Sequence, residues 1–156
     1  MTTKIIGHKK QIEFISNTIK QQNIPNAWLF FGSKGIGKSL LAKKVAQLIA
    51  SVNFREKKII DRISSRALIE TDIKSDIQNI YYCQRQKEEK KEKKNKFINI
   101  DDIRKIQKSF SLASVDKSYR TCIIDSADDL NFQASNALLK ILEEPPKNTL
   151  FIIISN

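Results

Sequence analysis

Histidine occurs once in the 156 residues and cysteine twice, at Cys83 and Cys122, far apart in the chain. So few soft ligands exclude a cysteine-rich zinc module, and two distant thiols make no disulfide framework. The compartment expected is a reducing cytosol. Long apolar runs are missing too: no segment approaches the roughly 20 residues that span a bilayer. The opening stretch, Met1 to His8, has no apolar core of useful length for a signal peptide. There is no internal repeat. The length suits one domain with a real core and is too short for two comfortable ones. Acidic residues are the scarcer charge, 17 against 28 Lys and Arg, which leaves a net +11. That balance suits a polyanionic partner, nucleic acid first. Much of it is local, however: Gln84 to Lys96 holds seven basic and three acidic residues, so +4 lies in one stretch. The remainder is spread among the lysines of an Ile/Lys/Asn-rich sequence, as composition alone would give.

Glycine is scarce as well, four in all, yet three fall in Gly32-Ser33-Lys34-Gly35-Ile36-Gly37-Lys38-Ser39. This stretch matches G-x-x-x-x-G-K-[ST] in full. Before it, Ala27 to Phe31 is an apolar and aromatic run that reads as a buried strand. After it, Leu41, Val45 and Leu48/Ile49 recur at helical spacing, so Ser39 to Ala50 reads as an amphipathic helix. Strand, glycine turn and helix N-terminus together aim backbone N–H groups at one place. Lys38 adds a positive charge there, and the Ser39 hydroxyl is a ligand for Mg²⁺. A Cβ would block the approach of backbone to phosphate, hence the glycines. A glycine turn that binds nothing is the bland alternative, and the full match with both flanks tells against it. The reading is a cradle for nucleotide phosphates, with ATP and Mg²⁺ as the ligands.

Along the rest of the chain, Lys9 to Gln21 carries Ile12, Ile15 and Ile19 on one face, a short amphipathic helix stopped before Pro25. Ser51 to Ser75 has helix-like pieces, Asp61 to Leu68 among them, and no sharp motif. Ile77 to Tyr82 alternates weakly and is a candidate strand. Gln84 to Lys96 has no apolar residue that would offset its ordering entropy, so a mobile charged loop is expected. Order returns at Phe97, and Asp101 or Asp102 caps a helix with Ile103, Ile106 or Gln107, and Phe110 on one stripe. Arg120 to Asp125 is a buried strand ending in an acid. Asn131 caps a helix carrying Ala134, Leu138, Ile141 and Leu142, which Pro145-Pro146 terminates. Leu150 to Ile154 is a last buried strand. Strands apolar on both faces and separated by helices mean a parallel sheet with helices on both sides. The fold class expected is α/β of the P-loop type.

A P-loop needs a second anchor for Mg²⁺, an acid at the carboxyl end of a neighbouring strand, and Asp125 stands there. A turn or capping aspartate is the alternative reading of it. The next residue is Ser126, where ATPases of this kind carry a glutamate that polarises water. A serine hydroxyl is no general base at neutral pH, so direct activation of water is impaired. Asp128 and Asp129 follow in the turn, and nothing in the sequence shows that either reaches the site.

At this point the chain resembles a family. Asn136 to Pro146, NALLKILEEPP, is similar to the helix end of bacterial clamp-loader subunits that precedes the strand with their sensor residue. Ile6-Gly7-His8, Asn26 to Phe30 and Arg120 to Asn131 (RTCIIDSADDLN) are similar to the same AAA+ subunits. The resemblance covers essentially everything outside Ser51 to Lys96, and within the family it is closest to the delta-prime kind of the DNA polymerase III clamp loader. It implies that Gly32, Gly37, Lys38 and Ser39 stand in the Walker A positions and Asp125 in the Walker B position. It places Asn156 where the sensor-1 residue reads the γ-phosphate. Ser126 departs from the ATPase subunits and is similar to delta-prime chains, which often serve as non-hydrolysing stators. The partners implied are the gamma/tau and delta subunits, with the sliding clamp and primed DNA met through the complex. Family members continue into a fifth strand, an arginine finger, a helical lid and a collar. None follows Asn156, so the expectation is a single AAA+ nucleotide-binding domain over 1–156, without lid or collar and with reduced nucleotide affinity.

Two other functions fit parts of the sequence. One is an active gamma/tau-type clamp-loader ATPase with a substitute for the missing glutamate. The other is a small P-loop nucleotide kinase, which needs an arginine-rich lid; Arg55, Arg62, Arg66, Arg85, Arg104 and Arg120 form no such cluster.

Overall fold

A computed structural model describes residues 5–51, 63–70, 79–85, 97–111 and 119–156. In chain order the described elements are α1 (Lys9–Lys20), β1 (Ala27–Phe31), α2 (Lys38–Ser51), α3 (Ser65–Glu70), β2 (Ile80–Gln84), α4 (Ile100–Ser111), β3 (Arg120–Asp125), α5 (Phe132–Glu143) and β4 (Thr149–Ser155). The strands form one sheet in the order β1-β4-β3-β2, and every neighbouring pair is parallel. The α/β fold with helices on both faces is the one the sequence implies.

Side-chain alternation along the two inner strands sorts the core into layers. Ile123, Leu150, Ile152 and Ile154 join Ile12, Ile15 and Ile19 of α1 and the apolar residues of α2 on one face. Cys122, Ile124 and Phe151 join Ile103, Ile106 and Phe110 of α4 and Ala134, Leu138 and Ile141 of α5 on the other. Both cysteines are free and buried. Burial pushes the Cys83 thiol up to about 11, with the nearby Asp102 charge adding to it. No described helix is long and apolar enough to cross a membrane.

Several sequence expectations are corrected. β1 is not buried: Leu29 is 65% and Phe31 73% exposed, because β1 is the edge of the described sheet. α2 is more than amphipathic. It is buried almost all round from Leu41 to Ile49, wedged between the sheet, α1 and α3. The strand expected at Ile77 to Tyr82 is described over Ile80–Gln84, in register with β3 from Ile80 opposite Thr121, and residues 77–78 lie outside the described residues. Gln84 therefore belongs to a strand, and 86–96, the heart of the expected charged loop, lie outside the described residues. The helical piece of 61–68 is found at Ser65–Glu70. The cap of α4 is Asn99, not Asp101 or Asp102. Asn99 Oδ1 accepts from the backbone N–H groups of Asp101 (3.0 Å) and Asp102 (3.2 Å), and Asp102 Oδ2 accepts from the N–H of Asn99 at 3.2 Å. This reciprocal box leaves both aspartates in the first turn, facing the positive end of the helix dipole.

Asn131 caps α5 as its sequence implies, its Oδ1 accepting from the N–H of Ala134 at 2.8 Å. The helix ends at Glu143, and Glu144 (φ −125°, ψ 69°) has left helical geometry, as a residue before proline must. Replacing the cap tests its weight. Asn131→Ala is expected to cost about 1 kcal/mol, seen as a midpoint lowered by roughly 2–4 °C in thermal unfolding.

Candidate functional site

Parallel strands end on the same side, and the order β1-β4-β3-β2 decides what meets there. Phe31 at the end of β1 is opposite Ser155, and Asp125 at the end of β3 is opposite Ile154. The strand of Asp125 is therefore next but one to that of the P-loop, not adjacent as the sequence reading has it. β4 lies between them and delivers Asn156 into the gap. Gly32–Ser39, Asp125 and Asn156 thus converge on one crevice at the carboxyl ends of the strands, where open α/β sheets take ligands. A polar cleft of about 510 Å³ opens there, lined by Gly35, Lys38, Ser39, Asp125, Asp128 and Asn156 among others.

Lys38 opens α2 and is only 7% exposed. Its Nζ donates to Gly32 O (2.6 Å), Ser33 O (2.8 Å) and Asn156 Oδ1 (2.9 Å). Gly35 (φ +86°) and Gly37 (φ +97°) hold the left-handed geometry that turns the loop into the helix, which a side chain would strain. The loop is braced from outside by His8. Its Nε2 lies 2.6 Å from Ile36 O, and since a carbonyl only accepts, Nε2 carries the proton. Beside this brace, α1 and β1 enclose an apolar pocket of about 450 Å³ lined by His8, Phe14, Leu29, Phe31 and Ile36, which shares Lys38 with the polar cleft.

Ser39 Oγ donates to Asp125 Oδ2 at 2.6 Å, and the Tyr82 hydroxyl donates to the same oxygen at 2.6 Å. Burial first, and then the Asp125 carboxylate, push the Tyr82 phenol well above its ordinary range, so it stays a donor. A serine hydroxyl and one carboxylate are hard oxygen donors of the sort Mg²⁺ takes, the remaining positions going to water and phosphate oxygens. The described residues contain no group of three or more His, Cys, Asp or Glu side chains that could hold a metal ion by themselves. The donor set fits Mg²⁺ bound together with a nucleotide.

Ser126 is nearly buried, and its hydroxyl donates to Asp128 Oδ2. Asp128 also accepts from Ser155 Oγ (2.9 Å), from the backbone N–H of Asn156 (2.9 Å) and from Asn156 Nδ2 (3.1 Å). These donors, Ser126 foremost, hold its carboxyl down at about 2. Asp128 therefore does reach the site, which the sequence could not show, and Asp129 pairs with Arg85 at 3.9 Å on the lining of the same cleft. His8, Tyr82 and Asp128 are the participants that motif reading misses.

The family model described as DNA polymerase III, delta subunit, matches residues 7–156. The DNA polymerase III subunit gamma of Buchnera aphidicola subsp. Schizaphis graminum is 30% identical over 156 residues, covering 96% of this chain and 38% of that protein. The subunit tau of Bacillus subtilis is 27% identical over 149 residues, covering 96% of this chain and 24% of its own length. A crystal structure of a gamma subunit-related protein from Thermotoga maritima superposes with a TM-score of 0.61 at 16% identity, over 94% of this chain and 39% of that one, and shows the shared fold. The chain spans about two fifths or less of these relatives. It belongs to the DNA polymerase III delta-subunit family and is homologous to gamma/tau clamp-loader subunits.

Proposed function

We propose, from membership of this family, that the chain is an ATP- and Mg²⁺-binding AAA+ module of a clamp loader, of the delta-prime kind, with weak or no hydrolysis. The observation that carries this is the convergence of Lys38, Ser39, Asp125 and Asn156 on one cleft. Gly32, Ser33, Lys34, Gly35, Ile36 and Gly37 would wrap the phosphates, Lys38 would neutralise them, and Ser39 with Asp125 would hold Mg²⁺. The bound ion supplies charge neutralisation at the phosphate oxygens. The apolar pocket beside His8 is the place for the base. Partners would be the gamma/tau and delta subunits, with the sliding clamp and primed DNA met through the assembly, in the cytoplasm. The nucleotide-kinase reading is set aside by family membership.

Weak hydrolysis follows from two residues. Ser126 has no basic atom to offer, and its hydroxyl is turned toward Asp128. Asp128, held near 2, is a poor proton acceptor at neutral pH. A single-turnover assay with purified partners checks this: bound ATP is expected to be recovered intact, and robust turnover by this chain would overturn the non-hydrolysing part.

The gamma/tau likeness of the relatives favours a second reading, an active ATPase with Asp128 as substitute base. Partner-dependent hydrolysis abolished by Asp128→Asn would support it. Hydrolysis untouched by that change would remove Asp128 from the role.

A further inference from the structure

Asn156 is held on three sides, and the chemistry of its neighbours dictates which way its carboxamide points. Oδ1 accepts from Lys38 Nζ at 2.9 Å, while Nδ2 donates to Asp128 Oδ2 at 3.1 Å and to Ser126 Oγ at 3.4 Å. An ammonium can only donate and an ionised carboxylate can only accept. The reverse orientation would set donor against donor and acceptor against acceptor. Asp128 is itself pinned, by Ser155 Oγ, by the backbone N–H of Asn156 and by Ser126 Oγ. It is exposed to solvent in the turn Ala127–Asp129 after β3, yet it is tied to the end of β4 rather than a free surface charge.

We propose that Asp128 is a positioning residue that latches Asn156 onto the P-loop lysine, so that nucleotide must release the carboxamide in order to bind. This rests on the nucleotide-binding reading above. Phosphate oxygens only accept hydrogen bonds, so what Asn156 can offer a phosphate is its Nδ2–H. In the latched arrangement that donor is directed away, to Asp128 and Ser126. Its Oδ1 meanwhile occupies a bond of Lys38 that phosphate would take. Breaking the latch frees a donor on each side of the cleft at once. A protein whose binding-competent state is only partly populated binds more weakly by that fraction, so the latch lowers affinity and its removal raises it.

The test is a double-mutant cycle read by binding of a fluorescent ATP analogue with Mg²⁺. Asp128→Ala is expected to tighten binding roughly fivefold or more, the size of coupling typical for residues in one hydrogen-bonded network. In an Asn156→Ala background the same change is expected to alter affinity less than about twofold, because no carboxamide remains to be positioned. An equal gain in both backgrounds would mean that Asp128 acts only by repelling phosphate, and overturns the latch; no gain in either does the same. A second measurement needs no nucleotide: the side-chain amide protons of Asn156, followed by ¹H–¹⁵N NMR, are expected to exchange slowly in the parent chain and fast in Asp128→Ala. Unchanged exchange in a folded Asp128→Ala chain overturns the latch. The two ideas fail separately. A parent chain with a protected carboxamide that binds no nucleotide overturns the nucleotide reading and the latch's part in it, whereas binding lost in Lys38→Ala but equal gains in the two backgrounds overturns the latch alone.

Discussion

Lys38→Ala is expected to lower the affinity for a fluorescent ATP analogue with Mg²⁺ by about a hundredfold, which in practice removes saturable binding. The lysine is 7% exposed, and its acceptors are the carbonyls of Gly32 and Ser33 and the amide oxygen of Asn156, none of which carries a charge. Among the described residues the hydrogen-bond partners of this buried ammonium are neutral, so none of them offsets its desolvation with an opposite charge. A phosphate supplies that counter-charge in the cleft the lysine faces. Two charge-assisted hydrogen bonds at roughly 1.5 kcal/mol each give the hundredfold estimate. Removal of the ammonium is not expected to unfold the chain, because it removes a buried charge together with its bonds; the far-UV circular dichroism of the variant checks this. Equal binding by the parent and Lys38→Ala would place the nucleotide elsewhere. No binding by either would make the P-loop a structural inheritance, and the chain a scaffold.

The parts of this site that the sequence disclosed are those encoded within a few residues of each other. Gly32–Ser39 is contiguous, its flanks carry the strand and helix patterns, and Asp125 is marked by ending an apolar run. Asn156 was placed by resemblance to a family, and the structure sets its carboxamide on Lys38. What stayed hidden depends on register across the sheet and on packing between distant segments. His8 meets Ile36 across 28 positions, Tyr82 meets Asp125 across 43, and Asp128 meets Ser155 across 27. Periodicity reports which face of an element is apolar, never which element lies beside it. The same limit explains β1: five apolar residues read as a buried strand, yet burial is decided by the position of β1 in the order β1-β4-β3-β2. For α4, Asn99 and the two aspartates that follow it are all capping residues by type, and only the backbone geometry shows whose side chain accepts from the first-turn N–H groups.

The core that holds this edge together has its own large expected effect. Phe151→Ala should destabilise the chain by about 3–5 kcal/mol, a large share of the 5–15 kcal/mol typical of a domain. Phe151 is fully buried on β4, between Ala27 of β1 and Cys122 of β3. Its ring meets Phe110 of α4 edge-on at 5.4 Å, and Phe110 meets Tyr81 of β2 in the same manner at 5.0 Å. Three elements are thus joined through one aromatic chain, each contact adding roughly 0.5–1.5 kcal/mol beyond the area it buries. Alanine at 151 would leave a cavity that neighbouring rings on a sheet and a helix cannot close without shifting the backbone. Thermal unfolding should show a midpoint lower by roughly 6–20 °C. Leu139→Ala on the outer face of α5, where the side chain is 56% exposed, is the matched control, expected to stay within about 0.5 kcal/mol. Similar losses for both would mean that the layer beneath α4 and α5 is not the core drawn here.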